Sequence, residues 1–112
     1  MRATFLSLVF VFAVGCATAP PTQALTTSIA SVNTAEELGA SQVPQAAQVL
    51  RYAKKEVVWT RALIANRKHE RAQRMAQRAE SDAALAIALV REHEARQAAE
   101  QAAVTGKATP NP

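Results

Sequence analysis

The chain has 112 residues, with 13 Lys and Arg against 9 Asp and Glu for a formal charge of +4, and aromatic residues make up only 4%. So small an excess of bases does not argue for nucleic acid, and a single cysteine excludes both an intramolecular disulfide and a cysteine-based metal cluster. Alanine, the strongest helix former, supplies about a quarter of the residues. No glycine stands between Ser41 and Val104, and Pro44 is the sole proline there, so the composition is all-helical.

The N-terminus opens with Arg2 and then an apolar run over residues 3–14, interrupted only by Thr4 and Ser7. A basic start, an apolar run and a small-residue exit make a secretory signal peptide. The run is too short for a spanning helix, which needs ~20 apolar residues. It ends in Ala13-Val14-Gly15-Cys16, which resembles the lipobox of bacterial lipoproteins. The resemblance implies cleavage between Gly15 and Cys16, a diacylglyceryl thioether on the Cys16 sulfur and an acylated amino group. Apart from this palmitate-type covalent lipid no cofactor is expected. An ordinary cleavage pattern, Ala17-Thr18-Ala19, is followed by Pro20, which usually blocks the ordinary peptidase. Ala17, rather than aspartate, after the cysteine favours by the same resemblance an outer-membrane lipoprotein facing the periplasm.

The expected organisation is a leader over 1–15, a lipid anchor and extended tether over 16–24, a helical domain over 25–104 and a disordered tail over 105–112. Without Arg2 the side chains sum to +3, and fewer than a hundred residues allow one small domain. The spacing of Leu25, Ile29, Val32, Ala35 and Leu38 predicts a first helix over 26–38, which Gly39 stops. Its threonines and Asn33 lower its propensity. Pro44 suits the first turn of a second helix, which runs to about residue 64 or 65. That helix has two apolar faces. One holds Val43, Ala46, Ala47, Leu50, Ala53, Val57 and Ile64. The other holds Val49, Tyr52, Trp59 and Leu63, with Glu56 among them. Tyr52 and Trp59 are expected to pack under the first helix, the alternative being contact with a partner or lipid.

Asn66, which tolerates a left-handed backbone, is the expected turn, against the alternative of one unbroken helix over 44–104. A third helix over 68–104 carries a stripe of Ala72, Met75, Ala76, Ala79, Ala83, Ala86, Ile87 and Val90. If the chain reverses near Asn66, this helix outruns the second by roughly 14 residues, or about 21 Å. The fold class is therefore all-α: an antiparallel helical hairpin or three-helix bundle with a long, overhanging C-terminal helix. Ala95, Ala98, Ala99 and Ala102 keep a small-residue stripe along the overhang, suited to helix–helix or oligomer contact. Leu85 and Leu89 lie off the alanine stripe, so either the first helix or another subunit covers them.

No catalytic set is visible, and no enzyme is expected. His69 and His93 have no partners at metal-ligand spacing and read as solvated surface residues. Arg67, Arg71, Arg74 and Arg78, spaced by four, three and four, share one helix face. This candidate stripe for an anion or acidic partner lies in a segment, 51–78, with nine bases and two acids. Over 79–104 acids outnumber bases. The competing reading is a solvated face with Glu70–Arg74 and Glu92–Arg96 pairs.

Gly39-Ala40-Ser41-Gln42-Val43-Pro44 and the run from Ala72 to Ala86, which includes Asp82-Ala83-Ala84-Leu85-Ala86, resemble an alanine-rich bacterial lipoprotein domain family of unknown function. The likeness covers about residues 25–90. Asn66-Arg67-Lys68 stands where relatives often have Gly-Asp-Tyr. Some relatives continue into an OmpA-like peptidoglycan-binding domain, no part of which lies within these residues, and the family implies no enzymatic residues. The expected function is a non-enzymatic, lipid-anchored envelope protein, a structural or interaction module in the periplasm. Its partners would be the membrane and an envelope protein or peptidoglycan, not nucleic acid. The alternatives are a self-assembling coiled-coil lipoprotein forming homo-oligomers and a carrier of a small ligand or lipid near Tyr52 and Trp59.

Overall fold

A computed structural model describes residues 19–108, and every regular element among them is helical. Helix α1 spans Thr22–Glu37, a 3-10 turn covers Ala40–Gln42, α2 spans Pro44–Ala65 and α3 spans His69–Ala108. The lipobox residues Gly15 and Cys16 lie outside the described residues.

Helix α1 begins four residues before the expected start. Residues 22–24 therefore belong to the helix rather than to a tether, and Pro21 is buried. The hydroxyls that lower helix propensity are turned back onto the helix. Thr26, Thr27, Ser31 and Thr34 each donate to the carbonyl four residues earlier, at 2.9–3.0 Å. Ser28 is fully buried and donates to the Leu25 carbonyl at 2.8 Å, so no orphaned hydroxyl enters the core. The helix stops at Gly39, whose φ of 84° is open to glycine and costly for other residues. The Leu38 and Gly39 amides donate to the Thr34 and Glu36 carbonyls.

Helix α2 opens on Pro44 as expected, after a 3-10 turn that no sequence signal announced. The chain reverses after Ala65, which excludes the single unbroken helix. The left-handed residue is Arg67 (φ 57°), however, and not Asn66. Asn66 keeps φ −89° and caps α2 by donating its side-chain amide to the Ala62 carbonyl at 2.8 Å. The Lys68 amide donates to the Leu63 carbonyl at 2.9 Å and closes the turn. At its far end α3 continues through Thr105, Gly106 and Lys107 to Ala108, so the expected tail over 105–112 is helical in its first half. Residues 109–112 are outside the described set. One glycine in a run of helix formers costs only about 1 kcal/mol and does not end the helix.

The three helices meet through small side chains. Ala35, Ala40, Ala46, Ala53, Ala72, Ala76, Ala79, Ala83 and Ala86 are fully buried, and the largest fully buried side chains are Thr60 and Ser28. Leu50, Val32, Val57 and Val90 supply most of the larger apolar volume. A seam of methyl groups brings helix axes towards the short end of the usual 8–10 Å spacing. Helix α1 packs against α3 more extensively than against α2. On α2 it takes the edge of Lys54, Val57, Val58 and Arg61, which lines a groove with Ile29, Val32, Asn33 and Glu36. The pairings are antiparallel between α1 and α2 and between α2 and α3. Lys54 pairs with Glu36, and Leu63 lies opposite Arg71.

This arrangement overturns the expected place of Tyr52 and Trp59. They do not pack under α1; they are 50% and 54% exposed. The reason is steric. A seam built from alanine, serine and threonine has no room for rings, and the α1-facing edge of α2 lies about half a turn away from both aromatics. Leu38, an expected α1 core position, is also largely exposed, because it follows the last helical residue.

Candidate functional site

Three features of the described residues have functional character: a charged group set into the α2–α3 seam, an aromatic and basic outer face, and a bare helical extension.

Glu56 is the charged group in the seam, only 3% exposed. It stands on the α2 face that meets α3, and the Arg78 Nε lies 2.7 Å from its Oε1. The second oxygen, Oε2, is buried and has no hydrogen-bond partner. Half-buried Asp82, one turn beyond Arg78 on α3, faces the same carboxyl. Burial above all, and then the Asp82 carboxylate, push Glu56 up from its ordinary 4.5 to about 7 against the pull of Arg78. With both carboxyls ionised the two acids repel. A single proton between them removes the repulsion and gives the orphan oxygen a donor. Thr60, fully buried one turn on, donates to the Glu56 carbonyl at 2.7 Å. The sequence showed Glu56 within an apolar face but held no sign of its partners, because Arg78 and Asp82 reach it only across the antiparallel pairing.

Of the proposed arginine stripe, Arg71, Arg74 and Arg78 project from α3 and are exposed. Arg67 is exposed too but sits in the turn, where its left-handed backbone takes it off the helical line. Arg71, Arg74 and Arg78 line a shallow groove with Leu63 and Met75. Arg78 is already engaged by Glu56 through Nε, although its side chain is 71% exposed. Of the two expected pairs within α3, Glu92–Arg96 forms and Glu70–Arg74 does not. Tyr52 and Trp59, two turns apart on α2, share the outer side, and the Gln48 amide reaches the Tyr52 hydroxyl at 3.4 Å. Leu85 is 48% exposed, so α1 leaves it uncovered, whereas Leu89 is half-buried against the core.

The extension begins where α2 starts. Val43, Pro44 and Gln45 line a groove with Leu89, Glu92, His93 and Arg96, and every residue from 91 to 107 is exposed. Among the described residues no other helix covers Ala95, Ala98, Ala99 and Ala102. His93 is on the surface as expected. His69, expected to be solvated, is half-buried at the first position of α3, with a buried Nδ1 that has no partner. Among the described residues no group of three or more His, Cys, Asp or Glu could hold a metal ion, and no helix is long and apolar enough to cross a membrane.

No family model, curated protein or solved structure matches the chain.

Proposed function

We propose that this protein is a lipid-anchored envelope module that works by contact rather than by catalysis, tethered through Cys16 to the outer membrane and facing the periplasm. The observation that carries the reading is the sequence Ala13-Val14-Gly15-Cys16 at the end of an apolar leader, a few residues before a three-helix bundle. One acyl chain holds a protein to a membrane only marginally, whereas two or more hold it stably. Fixed there, weakly attractive surfaces act at high effective concentration. The outer face and the bare end of α3 offer such surfaces.

Metabolic labelling with an alkyne fatty acid tests the anchor. The wild-type chain should take up label and stay with membranes after a high-salt wash. Cys16→Ser should lose the label and leave the membrane fraction. Unlabelled wild-type chain that remains membrane-bound would sink the idea.

The exposed alanines of the extension favour a second reading, self-assembly through α3. Sedimentation of the processed protein separates the two, since a strict monomer at high concentration is incompatible with an alanine-zipper oligomer.

A further inference from the structure

We infer that the outer face of α2 and α3, the side turned away from α1, is a membrane-docking surface that rests on anionic phosphate headgroups. The inference builds on the lipid anchor proposed above.

The face combines two chemistries that suit a lipid interface. Trp59, Tyr52 and Leu85 are each about half exposed there, on a bundle whose seam leaves no space for them. Tryptophan and tyrosine rings, apolar with one polar edge, settle at the headgroup level of bilayers. Around them stand exposed bases: Lys55 on α2, Arg67 in the turn, and Arg71, Arg74 and Arg78 on α3. The acids among these bases are Glu70, half-buried Asp82 and the buried Glu56, so this set carries a net charge of +2. The opposite side of the bundle differs. Helix α1 has no Lys or Arg and ends in Glu36 and Glu37. Lys54 and Arg61 of α2 offset those two acids along the groove against α1, so that side is charge-balanced, and the basic, aromatic side is the one an anionic surface selects.

Chain length makes the contact geometrically available. In the antiparallel pairing that sets Glu36 beside Lys54, the start of α1 at Thr22 lies level with the α2–α3 turn, the basic end of the bundle. Six residue steps separate Cys16 from Thr22, a reach of at most about 20 Å. With the outer face on the lipid, α1 stands one helix layer above it, a further 8–10 Å or so. The tether spans that height, so the anchor permits the contact. A second copy of the chain fits the face less well. A two-fold axis near Leu85 would set the arginines against Glu92 and Arg96, which already neutralise each other.

Trp59 is the chain's single tryptophan and reports directly on this contact. The processed, lipidated protein is reconstituted into vesicles of phosphatidylcholine alone, or of phosphatidylcholine and phosphatidylglycerol in equal parts. Its emission and its quenching by brominated lipids are then read. The expected result is a blue shift and quenching in the anionic vesicles only, reversed by high salt. Each base should contribute roughly a fivefold preference for anionic lipid. The double variant Arg71→Glu, Arg74→Glu turns the face from net +2 to net −2 and should abolish the shift, while far-ultraviolet circular dichroism remains helical. Both arginines are exposed, so the fold does not depend on them. Protein that floats with both vesicle types but shows the same emission in each overturns the docking face and leaves the anchor standing. Protein that floats with neither overturns the anchor, and the docking inference with it.

Discussion

Two stretches of α3 share an alanine-spaced pattern and meet opposite fates. Ala72, Ala76, Ala79, Ala83 and Ala86 are fully buried against the rest of the bundle, whereas Ala95, Ala98, Ala99 and Ala102 are exposed. The local pattern is nearly the same; the presence of a facing helix is what differs. An alanine stripe permits close approach but buries too little area to require it, since each methyl contributes under about 1 kcal/mol. In the bundle, many such methyls act together with Leu50, Val57 and Val90.

Matched substitutions break or sharpen this contrast. The largest expected effect comes from a charge placed on each stripe. Ala79→Asp buries a carboxylate without a partner and should cost about 3–5 kcal/mol, enough to threaten the fold. Ala98→Asp should stay within about 0.5 kcal/mol. Urea unfolding followed by circular dichroism compares them, and equal effects would mean that the extension is packed in solution.

Next is the pH response of the seam. Glu56 has a raised folded-state pKa, so its stabilising protonation is fully present below about 4.5 and is lost as pH climbs through about 7. On that account the wild type should lose on the order of 2–3 kcal/mol across the window. Glu56→Gln should flatten this part of the profile and be more stable above neutrality, because Arg78 remains free to reach water. Parallel stability profiles for the two proteins between pH 4.5 and 8 would remove Glu56 as the titrating group.

The smallest effects come from the two described glycines. Gly39, at φ 84°, should cost about 1–2 kcal/mol when changed to alanine. Gly106 lies in the extension with open space around its Cα, and Gly106→Ala should gain up to about 1 kcal/mol of local helix stability. Thermal unfolding reads the first and amide exchange near residue 106 the second. A loss of protection in Gly106→Ala would show that the extension is not an ordinary free helix.

Much of the bundle was legible in the residues. Pro44 and Gly39 marked element ends because each has a backbone requirement that neighbours do not alter. The buried set on α3 followed from helical period alone. The missing parts all depended on other segments. Helix α1 starts four residues before the predicted position, where back-bonds from Thr26 and Thr27 satisfy hydroxyls that otherwise lower helix propensity. Asn66 is the residue whose side chain best suits a left-handed turn, yet Arg67 takes that conformation, a choice made by the whole reversal rather than by one side chain. The Glu56–Arg78–Asp82 group was invisible, since residues more than 20 positions apart meet only through inter-helix pairing.

The amino-acid sequence by itself determined the helical class, the alanine stripe of α3 and its overhang beyond α2. These follow from local propensity, periodicity and chain length. Only the tertiary structure decided which of the two apolar faces of α2 would be covered. Periodicity defines faces but does not rank them; the covered face is the one where Ala46, Ala53 and Thr60 let another helix approach, and α1 takes the adjoining edge of Lys54, Val57, Val58 and Arg61. That choice left Tyr52, Trp59 and Leu85 in the open beside the arginines.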